Sequence, residues 1–376
     1  MPKPAMPGRV FAQMRAMGHD RHPSTEVLRE HAFGLIWDKS TAQQALQDLR
    51  DDLSAPQPGD PPRTAADQIS FRLLLSLLDW RISGVFIQPF KSLLEARMQF
   101  WDTEFFCPLT DYQTAFLKAT HQAFPNAKNF ANVLNIFEAI PQNSPLMLED
   151  RTNDFQIVMT PDAKTTIFAF SDLRNNCLGI GWPTFYRAAA APAGANLVIF
   201  KDLNRQLYCG GIRNFGDKSK TLAALRTLMA DPAFSNTEIV FLGASGGTFG
   251  ALFLAGTLGV KRVIGLSGPS CLELGVLNED KGIYNRIMEL VDAGALEYED
   301  PTVRLNEGGV NRVDYFVAGF HEFDMQNAHN LLEKTQCTTA HIYPHSEHSI
   351  THLCLEDGRL IAAIRGESLE PLALPH

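Results

Sequence analysis

Seven short β-rich runs, "FQIVMT", "TTIFAF", "NLVIF", "EIVFLG", "RVIGLS", "VDYFVAG" and "AHIYP", follow one another after about Pro141, separated by helical stretches. Between the third and fourth lies "KSKTLAALRTLMAD", a clear helix candidate, and "LFLAGTLG" follows the fourth. Strands alternating with helices predict a largely parallel sheet, because parallel neighbours need a crossover connection and the crossover helices cover both faces. Ligands of such sheets bind beyond the carboxyl ends of the strands.

The first 145 residues have another texture and are expected to form an all-α region, leaving 146–376 to the sheet. "STEVLREHAFGLIWD" and "STAQQALQDLRDDL" each open on a serine suited to an N-cap, and Gln43 stands three residues after Ser40 as in a capping box. "SAPQPGDPPR" breaks the pattern as a loop. From Thr64 to Ile140 apolar residues recur at helical spacing, and "QTAFLKATHQAFPNAKNFANVLNIFEAI" predicts two helices around a proline-containing turn. It has a faint likeness to a tetratricopeptide hairpin, without a second copy at a fixed period. This region shows no chemistry of its own and suits a lid over a site or a module that docks a protein partner.

Composition narrows the function. The 376 residues carry a formal net charge of −9, which disfavours nucleic acid, since affinity for phosphate backbones needs clustered Lys and Arg. The amino-terminal 20 residues have no apolar core of a signal peptide, and "FRLLLSLLDW" is far shorter than the ~20 residues of a membrane span. A cytoplasmic protein without a membrane span is expected. The six cysteines contain no CxxC pair and are expected to be reduced and mostly buried.

The fourth run continues into "VFLGASGGTFGALFLA", residues 240–255. A dinucleotide fingerprint fits poorly: Phe249 stands where a closely spaced glycine is needed, and "RVIGLS" ends without an acid for a ribose hydroxyl. The glycines could simply allow a tight turn, with Ser245 a bystander. Alternatively the turn is a nucleophile elbow, with small residues at Gly243 and Gly247 around a serine whose Oγ is presented at the apex. Gly246 would then point its amide at a developing oxyanion, reinforced by the positive end of the following helix.

An elbow serine needs a base and an acid. "VDYFVAG" is followed by "FHEFDMQNAHN", and "AHIYP" by "HSEHSITHLCLEDGRL". With "GASGG" as elbow, Asp324 after the penultimate strand and His348 after the last, residues 150–365 resemble the α/β-hydrolase superfamily. The resemblance implies an α/β-hydrolase fold with Ser245 as nucleophile, His348 as base and Asp324 as acid. It also implies a second oxyanion donor in the loop after "TTIFAF", from the amide of Ser171 or Asp172; the HGGG pattern of many lipases is absent. Glu322 competes for the acid, and His345 and His352 for the base. His341, His345, His348 and His352 together suggest a metal, but the glutamate of an HExxH motif is missing, since Ser349 follows His348. No metal and no cofactor are expected. The function so implied is serine hydrolysis of an ester-like bond in a small-molecule or acylated substrate. The competing expectation is a non-catalytic interaction protein on a hydrolase scaffold.

Overall fold

The computed structural model describes residues 110–140, 153–275 and 281–372, with isolated positions from 43 to 149. Of the helices expected at 24–38 and 40–53 only Gln43, which is helical, is among them. The chain divides into two compact units, Met1–Glu138 and Ala139–His376, a few residues before the division expected from the sequence.

In the first unit the described part is chiefly the predicted hairpin. Helix α1 (Thr110–Ala123) and helix α2 (Lys128–Ala139) are separated by a turn containing Pro125. There Phe124 N donates to Thr120 O, a carbonyl that the end of α1 leaves open, and Ala127 N donates to Phe124 O within the turn.

All seven β-rich runs form strands of one sheet in the second unit: β1 (Phe155–Val158), β2 (Thr165–Phe170), β3 (Ala195–Phe200), β4 (Glu238–Ala244), β5 (Arg262–Leu266), β6 (Arg312–Ala318) and β7 (Thr338–Tyr343). The order across the sheet is β1-β3-β2-β4-β5-β6-β7. Only β1 is antiparallel to its neighbour, and the other pairs are parallel. Strands β2, β3 and β5 are buried along their whole length, as a sheet covered on both faces requires. Aromatic side chains fill one layer, with Phe168 stacked on Phe241 at 5.5 Å and Phe170 on Phe200 at 5.2 Å.

The helices between the strands have local causes. Helix α3 (Lys218–Met229) starts at Asp217, whose carboxylate accepts from Lys220 N at 2.9 Å. Helix α4 (Gly246–Leu258) follows β4 directly, and every residue from Gly246 to Gly256 is buried. It ends at Gly259, at φ 71°, which glycine adopts without penalty. Helices α5 (Lys281–Asp292) and α6 (Pro301–Glu307) lie between β5 and β6, α7 (Glu322–Lys334) follows β6, and α8 (Thr351–Glu356) and α9 (Arg359–Arg365) follow β7.

The strand order locates the site. From β2 the chain crosses to β3, and from β4 it crosses to β5, so the connections of the adjacent strands β2 and β4 depart in opposite directions. The crevice at such a switch point opens at the carboxyl edge, between the segments that follow Phe170 and Ala244.

Among the described residues no helix is long and apolar enough to cross a membrane. The five described cysteines are free, and all but the half-buried Cys337 are buried.

Candidate active site

Ser245 occupies the turn between β4 and α4 at φ 50° and ψ −119°, a conformation costly for a side chain and held by its surroundings. Its amide donates to Leu266 O at 2.9 Å, tying the apex to the end of β5. The bend is possible because its neighbours lack Cβ atoms. A Cβ on Gly243 would meet the backbone of Gly247 and Thr248, and one on Gly247 would meet the carbonyl oxygens of Phe170 and Ser171. The start of α4 thus lies directly on the end of β2.

His348 stands in the segment between β7 and α8, with Nε2 2.9 Å from Ser245 Oγ and Nδ1 2.6 Å from Asp324 Oδ1. Asp324 is fully buried. It lies in the first turn of α7 rather than in a loop, because His321 caps that helix and starts it three residues earlier. Burial alone raises the Asp324 carboxyl; hydrogen bonds with His321 and His348 outweigh that and hold it down at about 2. His321 Nδ1 lies 3.4 Å from Asp324 N and 3.5 Å from Asp324 Oδ1. Unprotonated, that nitrogen accepts the amide as an N-cap; protonated, it donates to the carboxylate.

The competing residues lie elsewhere. Glu322 accepts from Gln326 Nε2 at 3.1 Å on the exposed face of α7. The rings of His345 and His352 pack edge to face on one another at 5.5 Å, and burial, with His345 beside it, pushes His352 down to about 4. His341 is fully buried, 3.2 Å from Asp314 Oδ1 and stacked on Phe316. The four carboxyl-terminal histidines therefore do not converge on one point. Ligand atoms of His321, Asp324 and His348 do lie within 4.8 Å of one another, and their mutual hydrogen bonds account for that closeness.

The two amides expected to complement Gly246 are already committed: Ser171 N donates to Phe200 O at 3.0 Å, and Asp172 N to Asn176 O at 2.9 Å. The Asp172 carboxylate accepts from the amides of Arg174 and Asn176, each at 2.8 Å, and curls the segment into a tight turn. The intervening Leu173 N has no partner among the described residues. Leu173 itself is next to Gly246, since a Cβ on that glycine would sit 3.1 Å from Leu173 Cγ. Burial raises the Asp172 carboxyl to about 6, against the lowering effect of those amides and of Arg174 and His348 nearby.

Two polar neighbours of the acid escape sequence reasoning. His321 had a usable signal, its position three residues before Asp324 at a helix start, the spacing of a side-chain cap. Ser267 donates its hydroxyl to Asp324 Oδ2 at 2.8 Å across 57 residues of chain, which no local pattern announces.

No family model matches the chain, and no curated protein sequence matches it. Among solved structures, 2,6-dihydroxy-pseudo-oxynicotine hydrolase is similar at 12% identity over 96% of this chain and 95% of that one, with a TM-score of 0.44. Esterase B from Lactobacillus rhamnosis is similar at 14% identity over 66% and 94%, with a TM-score of 0.43. The capsule O-acetyltransferase of Neisseria meningitidis serogroup A is similar at 14% identity over 58% and 93%, with a TM-score of 0.41. In strand order, in the single antiparallel first strand and in the sharp passage from β4 into a buried helix, the second unit has the α/β-hydrolase fold.

Proposed function

We propose that the protein is a serine hydrolase that cleaves ester-like bonds, with Ser245 as nucleophile, His348 as general base and Asp324 as the acid that orients it. The observation that carries this reading is the unbroken chain of hydrogen bonds from Ser245 Oγ through His348 to Asp324, with the serine at a strained apex. A serine hydroxyl is a weak nucleophile until a base removes its proton.

Ser245 Oγ attacks the carbonyl carbon as its proton passes to His348 Nε2. The carbonyl π electrons move to oxygen, and the resulting oxyanion is held by the amides of Gly246 and Leu173 at the positive end of α4. Asp324 receives the Nδ1 proton in a hydrogen bond and keeps its charge, stabilising the imidazolium. The oxyanion collapses, the bond to the leaving group breaks, and His348 returns its proton to that group. Water then repeats the sequence on the acyl-serine and frees the carboxylic acid. The second donor moves from Ser171 or Asp172 to Leu173 because the two earlier amides are spent within the fold. An acylated small molecule is the substrate class that fits this chemistry, and no cofactor takes part.

A fluorophosphonate probe tests the reading, because it reacts only with an activated serine. Labelling confined to Ser245, together with turnover of p-nitrophenyl esters of some chain length, is the expected result. A folded protein that neither labels nor turns over any of these esters favours a scaffold without activity.

A further inference from the structure

The end of β5 repeats the end of β4. "GASG" at residues 243–246 and "GLSG" at 265–268 lie on adjacent parallel strands, paired Gly243 with Gly265 and Ala244 with Leu266. The serines that come next, Ser245 and Ser267, both leave the sheet in the left-handed region, at φ 50° and 51°. The closeness continues one residue on, where a Cβ on Gly268 would run into the backbone of Ser245.

Glycine would occupy the position of Ser267 without strain, so the retained side chain calls for a use. That side chain is wholly buried, and its hydroxyl lies 2.8 Å from Asp324 Oδ2 and 3.1 Å from His348 O. Oδ2 is the carboxylate oxygen turned away from the imidazole; its other neighbour is Ala318 N at 3.4 Å, at the limit of a hydrogen bond. One hydroxyl thus touches both the acid and the backbone of the segment that bears the base. Ser267 is itself anchored by its amide, which donates to Phe316 O at 2.8 Å.

We infer that Ser267 is a positioning residue of this site, a second left-handed serine whose hydroxyl fixes which oxygen Asp324 offers to His348 and how much negative charge that oxygen carries. The inference builds on the hydrolase reading above, but the contact it describes can be tested without turnover. With the donor in place the carboxylate charge is shared towards Oδ2. Without it the charge gathers on Oδ1, where it stabilises the His348 imidazolium more strongly. The groups facing His348 and Asp324 from the surrounding elements are His321 at the cap of α7, Asp172 after β2 and Tyr315 on β6; none changes identity in the test.

The experiment compares the parent with Ser267→Gly and Ser267→Ala. The glycine variant relieves the backbone strain and the alanine variant keeps it, while both lack the hydroxyl. The His348 imidazole is titrated by NMR, and the rate of fluorophosphonate labelling at Ser245 is measured alongside. Both variants are expected to titrate at higher pH than the parent, because of the charge gathered on Oδ1, and yet to label about tenfold more slowly. An acid and a base-bearing segment released from the Ser267 hydroxyl no longer hold the imidazole in line with Ser245 Oγ, a misplacement that outweighs the stronger base. Ser267→Gly should melt no lower than the parent, so that unfolding does not explain the loss. An unchanged midpoint in both variants, or a labelling rate within about twofold of the parent's, overturns the proposal. A parent that takes no label overturns the hydrolase reading, and the midpoint alone then decides the role of Ser267.

Discussion

His348 and Asp324, 24 residues apart in the chain, meet at 2.6 Å between Nδ1 and Oδ1, the shorter of the two hydrogen bonds made by this imidazole. A bond of that kind fixes the tautomer, leaving Nε2 free to accept a proton from Ser245. Asp324→Asn replaces the acceptor with a carboxamide that can present a donor and select the wrong tautomer. It should lower kcat for a p-nitrophenyl ester by about three orders of magnitude or more, with KM little changed. Glu322→Gln, on the exposed face of α7, should stay within about twofold of the parent. Steady-state kinetics of the two variants decide the assignment, and the reverse ranking would transfer the role to Glu322.

The same geometry separates the histidines. His348→Ala should leave almost no turnover, whereas His345→Ala and His352→Ala, whose rings pack on each other, should retain most of it. With His352 pushed down to about 4, it is already neutral where an esterase assay is run and contributes no titration near pH 7. Adding a chelator should change none of these rates. Chelator-sensitive turnover that zinc restores would instead mark a metal centre.

Backbone strain at Ser245 has a thermodynamic signature. Ser245→Ala removes the nucleophile but keeps a Cβ at φ 50°, while Ser245→Gly removes both. Both should be inactive, and the glycine variant should be the more stable by about 1 kcal/mol in urea denaturation, reflecting strain of the usual size at such a site. A glycine variant less stable than the alanine variant would place no strain at this turn.

Asp172 supplies a pH dependence of opposite sign to that of Asp324. Its carboxyl moves from an ordinary 3.8 to about 6 on folding, so the folded state binds the proton more tightly than the unfolded one. Stability from this group is therefore greatest at low pH and is lost as pH rises from about 4 to about 6, by roughly 2–3 kcal/mol. Asp324, held at about 2, contributes stability that is present above 3.8 and lost as pH falls towards 2. An amide oxygen at position 172 can still accept from the amides of Arg174 and Asn176. Asp172→Asn should accordingly raise Tm by several degrees at pH 7.5 and by almost nothing at pH 4. Calorimetry giving the same difference at both pH values would refute this.

What the sequence made legible was local. Each of the seven runs carried its own β-rich signature, and the glycines on either side of Ser245 announced a tight turn, one that leaves no room for a Cβ at 243 or 247. That Asp324 lies inside α7 and not in the segment before it was not legible, because a histidine cap is a rarer signal than a serine or aspartate one. Which amides remain open after β2 depended on an Asp172 turn and a carbonyl of β3, and both are set by sheet order rather than by neighbours in the chain. Ser267 was invisible for the same reason, its meaning lying in a partner 57 residues away.

The burial of α4 separates two kinds of failure in this molecule. From Gly246 to Gly256 the helix has no face towards water, so the amides beyond its first turn, which are bonded within the helix, exchange with solvent only when the unit around them opens. Ser245 is joined to that last-opening part. The base rides instead on a short segment between β7 and α8, held to the interior by a handful of hydrogen bonds. Such a segment can detach at a fraction of the global unfolding free energy. Activity can therefore vanish and return while the sheet stays intact, with the serine still at its apex and its proton without a taker.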